Sequence, residues 1–383
     1  MRLLFVADGR SPIAIQWMRY FSERGDKVHL ASTFPCKTDL ALEQLEIVPV
    51  AFSSVKRDGG NSRPAGLRTV KLRSDLRAWF GLLTMPLAAR KLRRIIRNVK
   101  PDLVHAMRIP YEGMLAATAA GKAPLAISVW GNDFTLHAVR SREMERGTRK
   151  TLNATHGLHT DCARDLKLAL ERGFDEGKPV FIAPGNGGIR SEVFYPASVA
   201  AQEPIVFNPR GIRTYVRSES FFKAIPLILA HKPETIFVCA AMAGEPLAKR
   251  WISDLNLPAS VRLLDPMPHE QMGEYYRQAQ VLVSPSVHDG TPNSLLEGMA
   301  CGCFPVAGNL ESIREWITHG RNGLLVDAND PASIAEAVLT ALGRADLRAD
   351  AAAINAQMIA TRADYKRNME LAREFYGRVI FTA

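Results

Sequence analysis

The sequence predicts an α/β protein of two Rossmann-like domains. Three observations carry this. Short apolar runs alternate with amphipathic stretches along most of the chain, the rhythm of parallel strands flanked by helices. The pattern starts twice, at Arg2-Leu3-Leu4-Phe5-Val6-Ala7 and again at Ile205-Val206-Phe207. With 383 residues there is length for two or three domains, each burying its own core.

The first run passes through Asp8-Gly9-Arg10-Ser11-Pro12 into a helix with Ile13, Trp17, Met18 and Phe21 on one face, stopped at Gly25. A strand at residues 27–31 completes a β–α–β unit. Its turn lacks Gly-x-Gly-x-x-Gly, which argues against a dinucleotide in this half. Residues 55–70 read as a polar loop, and 72–99 as a helix broken near Pro86. Strands at 101–107 and 127–130 end in loops carrying Met107-Arg108 and Trp130-Gly131-Asn132-Asp133. Such loops lie at the C-terminal edge of a parallel sheet, where α/β proteins bind ligands. Residues 157–161 and 179–184 supply the last strands, and Pro184-Gly185-Asn186-Gly187-Gly188 reads as a turn. The stretch 194–204, with its prolines, is the expected linker. In the second half, strands are expected at 235–239, 261–264, 281–284 and 304–306, and helices from near Glu245, Glu270, Pro292 and Leu310. A helical tail over 350–376 closes the chain. The expected domains are residues 1–198, 199–350 and a tail, 351–383, packing back on the first.

Composition excludes several classes. The chain is 47% hydrophobic and 23% charged, as in soluble globular proteins. No apolar run approaches the roughly 18 residues that span a bilayer, and the N-terminus reads as a strand, not a signal peptide. Five cysteines, an odd count, argue for a reducing compartment, so a cytoplasmic location is expected. Cys301 and Cys303 flank Gly302 without further ligands nearby, so small buried thiols are expected there and no metal. The net charge is +10, and the segment from Lys56 to Lys100 holds more than the whole excess. Charge confined in this way argues against a nucleic-acid partner. Within the segment Leu82, Leu83, Met85, Leu87, Ile95 and Ile96 alternate with arginines. Two readings stand: a core helix with a solvated basic face, or a surface that docks on anionic lipid headgroups, with peripheral association at the inner face of a membrane.

The most informative stretch is Val281-Leu282-Val283-Ser284-Pro285-Ser286-Val287-His288-Asp289-Gly290-Thr291-Pro292-Asn293-Ser294-Leu295-Leu296-Glu297. A strand enters a polar turn and then a helix, with Thr291 the expected N-cap and Pro292 at its first position. The helix start presents backbone N–H groups and a positive dipole end, which suits a phosphate. Asp289 and Glu297 bracket it with seven residues between them.

From Asp289 to Val306 the sequence resembles the donor-site signature of retaining GT-B glycosyltransferases, glycosyltransferase family four. There a Glu, seven residues and a second Glu carry the donor; here the first Glu is Asp289. The resemblance is strongest over residues 210–326 and extends to Trp130-Gly131-Asn132-Asp133, while the second His of a Val-His-x-His pattern falls at Met107. It implies the GT-B fold, with two Rossmann-like domains facing a central cleft and a last helix crossing back to the N-terminal domain. It also implies transfer of a sugar from a nucleotide sugar to a hydroxyl acceptor, with retention, in cell-surface polysaccharide or glycolipid assembly. No cofactor beyond the nucleotide-sugar substrate is implied, and the acceptor would be a glycan or lipid-linked. Glu297 would take the ribose hydroxyls and Asp289 a sugar hydroxyl. Arg210 and Arg217, with Arg213 competing for the second place, would hold the diphosphate together with the backbone from Gly290, Thr291, Pro292, Asn293 and Ser294 to Leu295. Met267 stands in the loop that seats the base. On the acceptor side the resemblance points to Gly9, Arg10, His105 and Arg108. His105, with Met107 in place of the second His, reads more often as a core residue than as a catalyst, and Asp133 either contacts a hydroxyl or caps the segment that follows it. A GT-B nucleotide-sugar epimerase and a non-catalytic nucleotide-sugar-binding protein are the alternatives.

Overall fold

The computed structural model describes residues 1–50, 84–198 and 201–383. The expected loop at 55–70, the first part of the expected 72–99 helix and its Leu82 and Leu83 lie outside them.

The described chain forms two compact units, residues 1–187 with 367–383, and residues 188–366. In the first run β1 (Arg2–Ala7), α1 (Pro12–Glu23), β2 (Lys27–Ser32), β3 (Gln44–Ile47), α2 (Met85–Val99), β4 (Leu103–Ala106), α3 (Met114–Ala119), β5 (Leu125–Val129), α4 (Arg142–Ala154), β6 (Gly157–Thr160), α5 (Ala163–Leu170) and β7 (Val180–Ile182). All its strand pairs are parallel, in the order β3-β2-β1-β4-β5-β6-β7. In the second run β8 (Ile205–Asn208), α6 (Ser218–Leu229), β9 (Ile236–Cys239), α7 (Pro246–Asp254), β10 (Val261–Leu263), α8 (Met272–Gln278), β11 (Val281–Ser284), α9 (Asn293–Ala300), β12 (Phe304–Gly308), α10 (Glu311–Arg314), β13 (Leu324–Val326), α11 (Pro331–Gly343) and α12 (Ala345–Arg362). This sheet is also parallel, in the order β10-β9-β8-β11-β12-β13.

Both orders reverse once, between β1 and β4 and between β8 and β11. At such a reversal the two following helices leave to opposite faces and open a crevice at the strand ends, where α/β ligands bind. The loops carrying Gly9-Arg10, Arg108, Arg210 to Arg217 and Asp289 to Asn293 follow these four strands, whereas that of Trp130 to Asp133 follows β5 and that of Met267 follows β10.

Local chemistry explains the elements. Ser11 caps α1 by accepting from the Ala14 N–H, and Pro12 opens it, so that Ala14, Trp17, Met18, Tyr20 and Phe21 reach the core. In α2, Met85, Ala88, Ala89, Leu92, Ile95, Ile96 and Val99 recur at helical spacing and are all buried. Pro86 sits in the first turn of α2, the described part of the stretch expected to be helical over 72–99 and broken near this proline.

The units divide at Gly187/Gly188 and Lys366/Arg367, not at 198/199 and 350/351. Ile189 and Phe194 lie in the core of the second unit beside Phe207 and Tyr276, which draws the first boundary earlier. The tail is two helices. α12 buries Ala351 and Ile359 in the second unit, and α13 (Tyr365–Thr382) gives residues 367–383 to the first.

A buried polar chain anchors α13. Trp17 Nε1–H donates to Tyr376 Oη (2.8 Å), which lies 2.5 Å from His105 Nδ1. His105 Nε2 lies 2.8 Å from Ser128 Oγ, Ser128 Oγ 2.8 Å from His159 Nδ1, and His159 Nε2 3.0 Å from the Ala183 carbonyl. A donor-only indole at one end and an acceptor-only carbonyl at the other fix every proton between. Each ring must be neutral with its proton on Nε2. Burial enforces this: it pushes His159 down to about 4 and His105 well below its ordinary value.

Candidate active site

The crevice of the second unit is built by the loops after β8 and β11, which are laced together. Arg217 N–H donates to the Pro285 carbonyl (2.8 Å), Val287 N–H to that of Tyr215 (2.9 Å), and Val216 bridges Ser286. Gly308, at the end of β12, lets this lacing close, because a Cβ there would stand 2.1 Å from the Ser286 carbonyl oxygen.

Across the two loops Arg210 Nη1 meets Asp289 Oδ2 at 2.7 Å, with the side chains only 11% and 15% exposed. The Arg210 N–H donates to Asn208 Oδ1, and its guanidinium lies 5.7 Å from the Tyr215 ring. Burial disfavours this cation, but Asp289 and Tyr215 more than compensate and raise its pKa. Arg217 instead donates to Asn329 Oδ1 (2.8 Å) and the Thr214 carbonyl (3.0 Å), and Arg213 is exposed. Arg210 is thus the cation that the fold joins to Asp289.

The α9 helix begins at Asn293, one residue later than expected, with Pro292 as its N-cap residue. Thr291 does not cap it; its Oγ1 accepts from Trp316 Nε1 (3.0 Å). Of the expected backbone donors, the Leu295 N–H is committed to the Pro292 carbonyl (3.0 Å), whereas Asn293 and Ser294 open the helix and have no acceptor within it. Gly290 and Thr291 are buried in the turn. Glu297 is 4% exposed, with His269 Nε2 2.7 Å from Oε1 and Tyr276 Oη 3.0 Å from Oε2. Met267 is half-buried in the loop between β10 and α8.

Five buried side-chain groups of this region have no hydrogen-bond partner: Asn208 Nδ2, Ser218 Oγ, Ser284 Oγ, Ser286 Oγ and Asn293 Oδ1. Native interiors leave few such groups unmet. Their gathering at the ends of β8 and β11 and the starts of α6 and α9 marks a place suited to a polar ligand. Only Asn293 was singled out from sequence; the Ser284-Pro285-Ser286 run at the end of β11 was the available signal for two more.

In the first unit Gly9 N–H donates to Ser32 Oγ (3.0 Å), while Arg10 pairs with Asp8 (2.8 Å) and lies 3.8 Å from the Phe34 ring centroid. Arg108 pairs with Asp133 at 2.6 Å. Two residues there hold positive φ, Arg108 at 146° and Tyr111 at 68°, a costly backbone that recurs at functional sites. Two expectations need correction. Asp133 is 1% exposed and accepts from Arg108 and from the N–H groups of Ile109 and Trp130, so it braces the loop and leaves no surface for an acceptor hydroxyl. His105 is 1% exposed inside the polar chain, so it is a core residue and not an acceptor-side group.

Among the described residues one group of side chains is close enough to share a metal ion: Asp161, Cys162 and Asp165, all buried. Arg164 already donates to Asp165 at 2.7 and 2.9 Å and occupies the place of a cation. Arg164 also bonds the Gly131 carbonyl (2.7 Å), and Asp161 receives the Gly131 N–H (3.1 Å), which fixes the loop carrying Asp133.

The family model for glycosyl transferases group 1 matches residues 206–344, and that for glycosyl transferase 4-like proteins matches residues 2–160. The chain belongs to the group 1 glycosyltransferases. Curated relatives of this glycosyltransferase chain include a D-inositol 3-phosphate glycosyltransferase of Thermobispora bispora, 28% identical over 39% of this chain and 41% of that protein. The enzyme of that name from Corynebacterium efficiens is 32% identical over 48% and 44%. The chain thus spans less than half the length of these curated relatives. Solved structures agree on the GT-B fold. HepE of Anabaena, determined with UDP, is 14% identical with TM-score 0.69 over 98% of this chain and all of that one. Sucrose-phosphate synthase of Thermosynechococcus elongatus is 14% identical with TM-score 0.74 over the whole of both chains.

Proposed function

We propose that this glycosyltransferase moves a sugar from a nucleotide sugar to a hydroxyl acceptor with retention of anomeric configuration. The observation that carries the reading is the Arg210–Asp289 pair at the strand reversal of the second unit, beside five unsatisfied buried polar groups and the start of α9. Arg210 and the N–H groups of Asn293 and Ser294 take the charge that grows on the diphosphate as the glycosidic bond breaks. A fixed cation and helix start lower that barrier without reorganising. Arg217 or Arg213 supplies a second cation. Asp289 orients a hydroxyl of the sugar, and Glu297 takes the ribose. The acceptor hydroxyl attacks on the face the diphosphate leaves, so no protein nucleophile is needed. Nucleotide release from donor and acceptor, with the product anomer read by NMR, tests the reading. An inverted product, or turnover unchanged in Arg210→Ala, overturns it.

The second part of the reading concerns place: a cytoplasmic enzyme at the inner face of a membrane, acting on a lipid-linked acceptor in surface glycan assembly. In its support α2 turns Arg90, Lys91, Arg93, Arg94 and Arg97 to solvent, Lys100 just past its end is exposed, and Leu87 is 70% exposed. Met85, Ile95 and Ile96 face the core, so attraction would be mainly electrostatic. Each cation near an anionic bilayer contributes about 1 kcal/mol. Co-sedimentation with anionic vesicles at low salt, lost when the six cations are neutralised, is the expected result. Protein left in the supernatant refutes the membrane role.

A further inference from the structure

Glu297 is held in an unusual way for a carboxylate that is to meet a ligand. Its side chain is 5% exposed, and each oxygen already has a donor from a different element. Tyr276, on α8, is fully buried, with its ring 5.1 Å from Phe207 and 6.0 Å from Phe194. Its phenol is pushed well above its ordinary pKa by burial and then by the charge of Glu297, so it is a neutral donor. His269 stands in the short turn His269–Gln271 that leads into α8, its ring 5.0 Å from Phe194 and its side chain 35% exposed.

An ionised carboxylate has about four acceptor positions. Two are used here, one on each oxygen, so the positions left have a fixed direction. Tyr276 alone would not achieve this, because a carboxylate bonded at one oxygen can still turn about its terminal torsion, which is broad. The second bond removes that freedom. Burial disfavours the charged imidazole, but the hydrogen bond and charge of Glu297 outweigh it, with Glu270 adding and Arg190 opposing.

We propose that His269 is a positioning residue for donor binding: it holds Oε1 of Glu297 so that the remaining lone pairs meet the two ribose hydroxyls of the nucleotide. This rests on the reading that Glu297 takes the donor ribose. His269 bonds the carboxylate and packs on Phe194; it acts on the nucleotide through Glu297. A His269 that merely satisfied a buried acid would matter to folding alone. The two roles differ in what they do to a ligand without the hydroxyls.

The experiment is calorimetric titration with whichever of UDP, GDP and ADP binds tightest, and with its 2′,3′-dideoxy counterpart. The wild type, Glu297→Gln, His269→Phe, His269→Asn and His269→Gln are compared, each checked for folding by thermal melting. The wild type is expected to prefer the ribonucleotide by about tenfold or more, the scale of hydrogen bonds to a charged group. His269→Phe reduces that preference to within about twofold by weakening the ribonucleotide only. His269→Gln, whose amide N–H reaches as far as Nε2, restores most of it, and the shorter His269→Asn does not. If His269→Phe does not fold, the Asn and Gln pair decides alone. A wild-type ratio retained without the His269 donor, or equal weakening of both nucleotides, overturns the proposal. No preference in the wild type, a preference unchanged in Glu297→Gln, or no binding of any of the three nucleotides overturns instead the ribose reading on which it rests.

Discussion

Tyr376→Phe tests whether the polar chain through the first sheet is what docks α13. The substitution keeps the ring, which stacks on Phe21 at 4.8 Å and 13°, and deletes only the hydroxyl. Two buried groups lose their partner, Trp17 Nε1–H and His105 Nδ1. No tautomer change rescues them. Moving the His105 proton to Nδ1 would require Ser128 to donate to Nε2, and its single hydroxyl proton is already given to His159. At about 1–3 kcal/mol for each unmet buried group, the cost is about 2–6 kcal/mol. A chain of two units need not melt in one step, so native-state amide exchange is the better assay. Exchange from β1, β4, β5 and β6 should speed up by about thirtyfold or more, since 1.4 kcal/mol is tenfold. That from β8 and β11 should not change. Acceleration below about threefold in the first unit, or equal acceleration in both, refutes the reasoning.

Other outcomes follow from the same geometry. His159, at about 4 in the fold against 6.5, takes its proton more readily when unfolded; the stability it contributes is complete above about pH 6.5 and falls by roughly 3 kcal/mol toward pH 4, visible as loss of first-unit exchange protection in acid. His269 has the opposite sign: its raised pKa, set among Glu297, Glu270, Arg190 and Tyr276, gives stability that is full below 6.5 and is lost as pH rises through the raised value. Second-unit exchange should therefore show an alkaline limb that His269→Gln removes. Gly308→Ala forces a Cβ onto the Ser286 carbonyl and should destabilise by more than 1 kcal/mol while weakening nucleoside diphosphate binding in titration; normal affinity would show that the lacing is not needed. Asp289→Glu should retain some turnover with an altered sugar preference and Asp289→Asn should lose it, as measured with a panel of nucleotide sugars. Activity should survive EDTA if the proposed role of Arg210 as the cation at the diphosphate holds, and an absolute need for a divalent metal would overturn that role.

The strand–turn–helix from Val281 to Ala300 could be read almost to the residue, because an apolar run, a proline and a terminal glycine each act locally. The start of α9 was misplaced by one residue because the hydroxyl of Thr291 is drawn to Trp316, a partner distant in sequence. Distance along the chain also hid the fate of Asp133 and His105. Their types suit catalysis, and only the neighbours brought by β4, β5, β6 and α13 show them to be braces. The helical tail had helical composition throughout; what divided it was the pairing of Ile189 with the Ala363–Tyr365 segment, which composition does not encode. The role of His269 was missed for a similar reason, since 28 residues separate it from Glu297.

The first unit is discontinuous, being completed by residues 367–383. A ribosome delivers residues 1–187 long before it delivers Tyr376. During synthesis Trp17 and His105 therefore wait without their hydroxyl while residues 188–366 emerge as a contiguous unit able to fold at once. The first unit can therefore be completed only after the second has been synthesised. The nascent first sheet, its Phe21 and Phe181 not yet covered by Tyr376 and Phe375, is the species with most to gain from a chaperone.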